Sequence, residues 1–199
     1  MKKLLFIYII IVSCIQTFKP EKYSIEQFSK SNRIGGGSFS YDETKLLFSS
    51  DKSGIFNVYE INIASGEKKQ ITFSEQESFF AIDYLPGTNQ ILYSADKGGN
   101  ELNHIYLINE DSTTIDLTPG ENEKANFSGW SKDKKSMYFS SNKRNPQFFD
   151  FYKMNIESWE SEMLYQNDNG INISDMSEDE TWFAFSQIIT TSENKLFLT

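Results

Sequence analysis

Residues 46–51 read LLFSSD, and the chain returns to that string as ILYSAD at 91–96, as MYFSSN at 137–142 and, more loosely, as FAFSQ at 183–187. Aligned on their aromatics, these runs set Phe48, Tyr93, Phe139 and Phe185 in one column, at intervals of 45, 46 and 46 residues. A second column follows about a dozen residues later in VYEINI, IYLINE, FYKMNI and LFL, where Tyr59, Tyr106, Tyr152 and Phe197 are spaced by 47, 46 and 45. A third, QIT at 70–72, DLT at 116–118 and MLY at 163–165, keeps the same step. Three columns with one period make a repeat of about 46 residues, and a repeat at that spacing decides the architecture before any single residue does.

Within each unit the periodicity is that of strands: short alternating runs rich in Ile, Phe and Tyr, divided by Gly, Asn, Asp and Ser. A shorter strand ending in a tight turn precedes the first column, in SFSYDETK, AIDYLPGTNQ, SGWSKDKK and SDMSEDET. Asp42, Asp133 and Asp179 share one position of that turn, where a short carboxylate can accept from nearby backbone N–H groups, and Gly87 takes it in the second unit. Four antiparallel strands per unit of this length is the arithmetic of a β-propeller blade. The expectation is an all-β, partial β-propeller of four-stranded antiparallel blades, about 36–78, 79–124, 125–170 and 171–199, the last one incomplete. The aromatic columns then pack blade against blade.

The run SFSYDETKLLFSSDKSGIFNVYEINIASGEKKQIT at 38–72 resembles a bacterial propeller repeat with a Ser-Pro-Asp-Gly-Lys-type turn, a Ser-Ser-Asp-Arg-type loop, a Tyr and a Leu-Thr-like ending. Such repeats occur in the propeller of the translocation protein TolB and in the N-terminal propeller of prolyl oligopeptidase family serine peptidases. Tyr41 stands where the pattern has proline, and the turn lacks glycine. The lead-in YSIEQF from Tyr23, followed by RIGGGSFSYDETK, looks more like the exported dipeptidyl aminopeptidase and acylaminoacyl peptidase branch. TolB would place an α/β domain ahead of its propeller, and the lead-in at 20–35 is too short for one. The resemblance implies a non-catalytic propeller that covers the active site of a C-terminal α/β-hydrolase domain and admits short peptides. The alternative is a stand-alone TolB-like binding or scaffold propeller. Propellers of the peptidase family have about seven or eight blades, so these four repeats correspond to roughly the first half.

The leader MKKLLFIYIIIVSCIQ carries two lysines and then an apolar run from Leu4 to Val12, too short to span a bilayer and right for a secretory signal over residues 1–19. Ile11-Val12-Ser13-Cys14 resembles a bacterial lipoprotein cleavage box, which makes Cys14 the expected lipidation site; the competing reading is an ordinary signal peptide. Several acyl chains would hold the protein to a membrane where one binds only marginally. The expected location is the periplasm or the outer membrane of a bacterium. Cys14 is the sole cysteine, so the folded part has no internal disulfide. A net charge of −9, with 19 basic against 28 acidic residues, has the wrong sign for nucleic acid.

Catalytic residues are expected to be none. The peptidase family draws its nucleophile from a Gly-x-Ser-x-Gly elbow, and the nearest string, Gly36-Gly37-Ser38-Phe39-Ser40, lacks the last glycine and reads as a flexible entry to the first blade. His104, the only histidine, would have to be the base of any serine triad, and ELNHIYLI reads instead as a solvent or strand-edge position without an acid beside it. One histidine and one cysteine exclude ordinary zinc sites. The strings NDNG at 167–170 and SEDE at 177–180 lack the ligand spacing of a calcium loop and read as inter-strand turns. No cofactor is expected.

Overall fold

A computed structural model describes residues 22–198; the leader and Cys14 lie outside them. The chain divides into two compact units, one ending at Ser31 and one starting at Asn32. In the first, α1 (Ile25–Ser29) is a single turn closed by a capping box: Gln27 N–H donates to the Ser24 hydroxyl at 3.2 Å and Ser24 N–H to the Gln27 side chain at 2.8 Å. No helix among the described residues is long and apolar enough to cross a membrane.

The regular secondary structure of the second unit is all strand. The first sheet holds β1 (Ile34–Phe39), β2 (Lys45–Ser50), β3 (Asn57–Asn62) and β4 (Lys68–Gln70); the second β5 (Phe79–Tyr84), β6 (Ile91–Ala95), β7 (His104–Ile108) and β8 (Thr114–Asp116). The third has β9 (Ala125–Trp130), β10 (Ser136–Asn145), β11 (Phe148–Asn155) and β12 (Ser161–Tyr165), and the fourth β13 (Asn172–Met176), β14 (Phe183–Thr190) and β15 (Glu193–Leu198). In every sheet the strands pair antiparallel in chain order. These are successive blades of a partial β-propeller, with a three-stranded fourth blade.

The two aromatic columns meet across the second and third strands. Phe48 pairs with Tyr59, Tyr93 with Tyr106, Phe139 with Tyr152 and Phe185 with Phe197. In the first three sheets the rings stack, with centroids 5.7, 5.1 and 5.3 Å apart, an arrangement that adds to their burial. Because side chains alternate across a strand, Phe48 and Leu47 face opposite ways. Leu47 and Val58 join Tyr84, Ile91 and Tyr93 in a core between the first and second sheets. Leu92, Ile105 and Leu107 join Met137, Phe139 and Met154 between the second and third. Backbone bonds stitch neighbours as well, Phe79 N–H to Phe56 C=O at 2.9 Å and Ala125 N–H to Asn103 C=O at 2.8 Å.

The turn between first and second strands is built as its sequence suggests. The Ser40, Ser131 and Ser177 hydroxyls each donate to the aspartate two residues on, at 2.7 Å. The same aspartates accept N–H bonds from Thr44, Lys135 and Thr181 at 3.1, 3.0 and 3.2 Å. Hydroxyl bonds from Ser40 and then Thr44 hold the Asp42 carboxyl down to about 2. Glu43, Lys134 and Glu180 follow with φ of 55°, 61° and 60°. In the second blade, Leu85-Pro86-Gly87-Thr88 closes on a Thr88 N–H to Leu85 C=O bond at 3.1 Å with Gly87 at φ 73°, the proline-glycine pairing of a type II turn.

Gly36 and Gly37 are not a loose entry to the first blade, as the sequence suggests, but the bulge of β1, whose register against β2 shifts between Gly35 and Ser38. Gly36 has φ 71°, and a Cβ there would sit 3.4 Å from the Ala81 carbonyl oxygen of β5. It is this left-handed backbone, more than the space around it, that favours glycine at the bulge.

Candidate functional site

Each first strand carries a bulge at the same register, and a bulge re-aims the side chain beside it. Ser38, Asp83, Gly129 and Asp175 occupy the matching position, opposite Leu47, Leu92, Tyr138 and Ala184. Asp83 joins three blades: it accepts from the Ser38 hydroxyl on β1, from Trp130 Nε1 on β9 at 2.8 Å, and from Tyr84 N–H at 2.7 Å. Beside this junction, Phe39, Tyr41, Tyr84, Pro86 and Trp130 line a cleft of about 520 Å³.

One junction further along the link is missing. Gly129 has no side chain to offer, and Asp175 accepts only the Met176 N–H, at 2.8 Å, among the described residues. The third and fourth blades part there around a cleft of about 620 Å³, lined by Trp130, Tyr138, Phe151, Ile173, Asp175 and Met176, with Lys132 and Lys134 nearby. One ion pair lies on its lining and a second joins the same two blades beyond it. Lys132 meets Glu178 at 2.8 Å, both well exposed, and Lys153 meets Glu180 at 2.7 Å. Glu180 also accepts from the Tyr138 hydroxyl; Lys153 and then Tyr138 hold its carboxyl below the ordinary carboxylate value. Burial first, and Glu180 second, push the Tyr138 hydroxyl up.

Asn57, His104 and Asp150 form another matched set, opposite Ser50, Ala95 and Ser141. Asn57 is fully buried and accepts from the Thr72 hydroxyl at 2.9 Å and the Ser74 N–H at 2.8 Å, fixing the chain as it leaves the blade. His104 does have an acid beside it, contrary to the sequence expectation. Its Nδ1 lies 2.7 Å from Asp116 Oδ2, its side chain is 12% exposed, and its ring stacks on Tyr106. The sequence conceals this because β7 and β8 bring 104 and 116 together only once paired. Among the described residues the hydrogen-bond partner of the His104 ring is Asp116.

Asp150, with no exposed surface, is gripped by Arg144 through Nε at 2.7 Å and Nη2 at 2.8 Å. It also accepts the Asn167 N–H at 2.8 Å and the Tyr152 hydroxyl at 3.3 Å. Burial pushes the Asp150 carboxyl up, but the Arg144 and Asn167 bonds outweigh it and hold it below 3.8. Burial and the Asp150 charge push the Tyr152 hydroxyl up to about 12. The NDNG and SEDE strings are thus more than turns. Asn167 donates to Phe149 C=O at 3.2 Å and Ile171 C=O at 2.7 Å, while Asp168 meets Arg144 at 3.0 Å.

Of the residues singled out from sequence, Ser38 is a strand residue bonded to Asp83, and Cys14 lies outside the described residues. No group of three or more His, Cys, Asp or Glu side chains that could hold a metal occurs among the described residues. Sequence reasoning missed Asp83 and Asp175, although aligning AIDYLPGTNQ with SDMSEDET puts both in one column beside Ser38 and Gly129.

Comparison with known proteins shows what this scaffold is similar to. TolB from Acinetobacter baumannii superimposes with a TM-score of 0.61 at 17% identity, over 84% of this chain and 41% of that one. An oligogalacturonate lyase in complex with manganese gives a TM-score of 0.63 at 16% identity, over 82% and 49%. A protein assigned as dipeptidyl aminopeptidase IV from Bacteroides ovatus gives 0.58 at 13%, over 84% and 27%. At such identities the likeness is one of fold, and the chain spans less than half of each. No curated protein matches the chain. The profile of the family described as the dipeptidyl peptidase IV (DPP IV) N-terminal region matches residues 84–193. Those residues are more than half of the sequence, and the chain belongs to that family.

Proposed function

We propose that this propeller portion covers the active site of a C-terminal α/β-hydrolase domain in an exported bacterial serine peptidase and limits access to short peptides. The observation that carries the reading is the family match over residues 84–193, which falls on blades two to four. The chain's own residues do no bond-breaking in this reading. They supply a rigid wall, since acyl transfer needs an activated nucleophile, an oriented base and an oxyanion hole, and His104 with Asp116 lacks the first. Residues 1–19 act as a secretory leader, residues 20–35 as a lead-in and the four repeats as the blades. Cys14 carries the lipid that fixes the protein in the cell envelope.

The test is the longest gene product that contains these 199 residues. A downstream Gly-x-Ser-x-Gly elbow followed by Asp and His, with release of chromophore from dipeptidyl substrates, supports the peptidase. Loosening the blades by Phe139→Ala should then let longer peptides be cleaved. A gene product with no hydrolase domain defeats this reading and leaves a stand-alone binding propeller of the envelope, which the likeness to TolB favours. Partition of the wild type into detergent, lost in Cys14→Ala, checks the lipid separately; a wild type recovered wholly in the aqueous phase refutes it.

A further inference from the structure

We infer that the Asn169–Gly170 link is a site of spontaneous deamidation, and that its product weakens the joint where the chain passes from the third blade to the fourth. The inference does not rest on the peptidase reading. Asn169 is the one asparagine of the sequence that precedes a glycine, and a glycine, having no Cβ, leaves its own nitrogen open to approach. Both residues are exposed, in the turn between β12 and β13. The Asn169 side chain and the Gly170 N–H make no hydrogen bond among the described residues. Gly170 lies at φ 65°, so the turn itself selects the residue that bares the nitrogen.

The reaction needs only water and hydroxide. The Gly170 nitrogen gives its proton to hydroxide and bonds to the Asn169 side-chain carbonyl carbon. The bond from that carbon to the side-chain nitrogen breaks, and the nitrogen keeps the electron pair, takes a proton from water and leaves as ammonia. Water then opens the five-membered ring at one of its two carbonyls. One opening gives aspartate; the other gives an isoaspartyl link, whose main chain is longer by a methylene.

The joint around this link makes the change felt. The Asn167 N–H donates to Asp150 at 2.8 Å, as the Ser74 N–H does to Asn57 at 2.8 Å, each holding the chain where it leaves a blade. Asn167 Oδ1 in turn accepts the N–H groups of Asn169 and Ile171, at 3.3 and 3.1 Å. An isoaspartyl link falls between those two groups and pushes them apart. Either product also sets a new negative charge beside Asp168, which already meets Arg144 at 3.0 Å.

The full chain and the capped peptide acetyl-Gln-Asn-Asp-Asn-Gly-Ile-amide, which copies residues 166–171, are aged in parallel at mildly alkaline pH in heavy-oxygen water. Products are located by peptide fragmentation and by methylation with an isoaspartyl methyltransferase. The expected result is labelled aspartate and isoaspartate at 169, formed within tenfold of the peptide's rate and ahead of every other asparagine. A rate more than tenfold below the peptide's, or another asparagine converting first, overturns the site. Aged wild type should then unfold at a lower urea concentration than fresh protein, and Asn169→Gln aged in the same way should not. Equal midpoints for fresh and aged wild type, or an equal loss in aged Asn169→Gln, overturn the effect on the joint. Circular dichroism of fresh Asn169→Gln, expected to match wild type because the side chain is exposed, removes misfolding as an explanation.

Discussion

Between the second and third blades, Leu92, Ile105, Leu107, Met137 and Phe139 are at or below 2% exposure, and side chains from both sheets make one apolar seam. Between the third and fourth, Phe185 is the only fully buried apolar residue that the fourth sheet contributes among the described residues. The work there passes to ring contacts such as Tyr165 on Phe185 at 4.5 Å and to the Lys132–Glu178 and Lys153–Glu180 pairs. The two seams join the same kind of blade by different physics. An apolar seam is indifferent to salt and pH and fails when volume is removed. A polar one weakens with salt, and loses about 1 kcal/mol or less when an exposed pair gives up a charge.

The sharpest way to break the comparison is to remove one ring from each seam. Phe139→Ala, at 2% exposure, should cost about 3–5 kcal/mol, whereas Phe197→Ala, at 40% exposure, should cost roughly 1 kcal/mol or less. Urea melts of the two variants decide it, and equal losses would mean that the fourth blade is packed as tightly as the third.

Asp150 marks where the polar style begins. Asp150→Asn should cost about 2–3 kcal/mol, below the full range for a broken buried pair because Arg144 is 30% exposed and can reach water. The folded Asp150 carboxyl lies below 3.8, so its contribution is complete above that value and disappears as the pH falls through the lower folded one. Thermal melts of wild type and variant should therefore differ at pH 7 and converge in acid below pH 3.8.

Glu180→Gln should be milder, about 1 kcal/mol, because Lys153 and Glu180 keep 24% and 31% of their side-chain surfaces in water. Here the test is salt: the gap between wild type and variant should narrow as ionic strength rises, and no such narrowing is expected for Phe139→Ala. The smallest effect concerns the turns. Glu43 sits at φ 55°, a region that glycine enters without strain, so Glu43→Gly should be stabilising by roughly 0.5 kcal/mol. Gly87→Ala, at φ 73°, should cost about 1 kcal/mol.

Blade number, strand pairing and the stacked columns were legible because they repeat. Phe48, Tyr93, Phe139 and Phe185 announce one buried position four times over, and a period of two within each run says which face each takes. The links between blades were harder to read, since they are made at positions where the repeat changes residue: serine, aspartate, glycine, aspartate at 38, 83, 129 and 175. His104 and Asp150 illustrate the same difficulty. Each occupies the place that Asn57 holds in the first blade, with a partner 12 residues away for one and 6 for the other. Only pairing geometry reveals that the three do comparable work. The glycines of β1 misled for a related reason, because a bulge and a flexible linker draw on the same residue.

Within each sheet, every strand after the first pairs with the strand that came just before it in the chain, as when Lys45 meets Asn62 or Ile34 meets Ser50. The loop to be closed at each step is short, so the entropy of closure stays small, and a chain whose pairing is built from strands acquires a lower contact order than a sandwich of similar size. A growing chain can complete one sheet before the next has been made, each finished blade offering its apolar face as the template for its successor. Assembly of this molecule is thereby a matter of propagation, with its direction set by the order of synthesis.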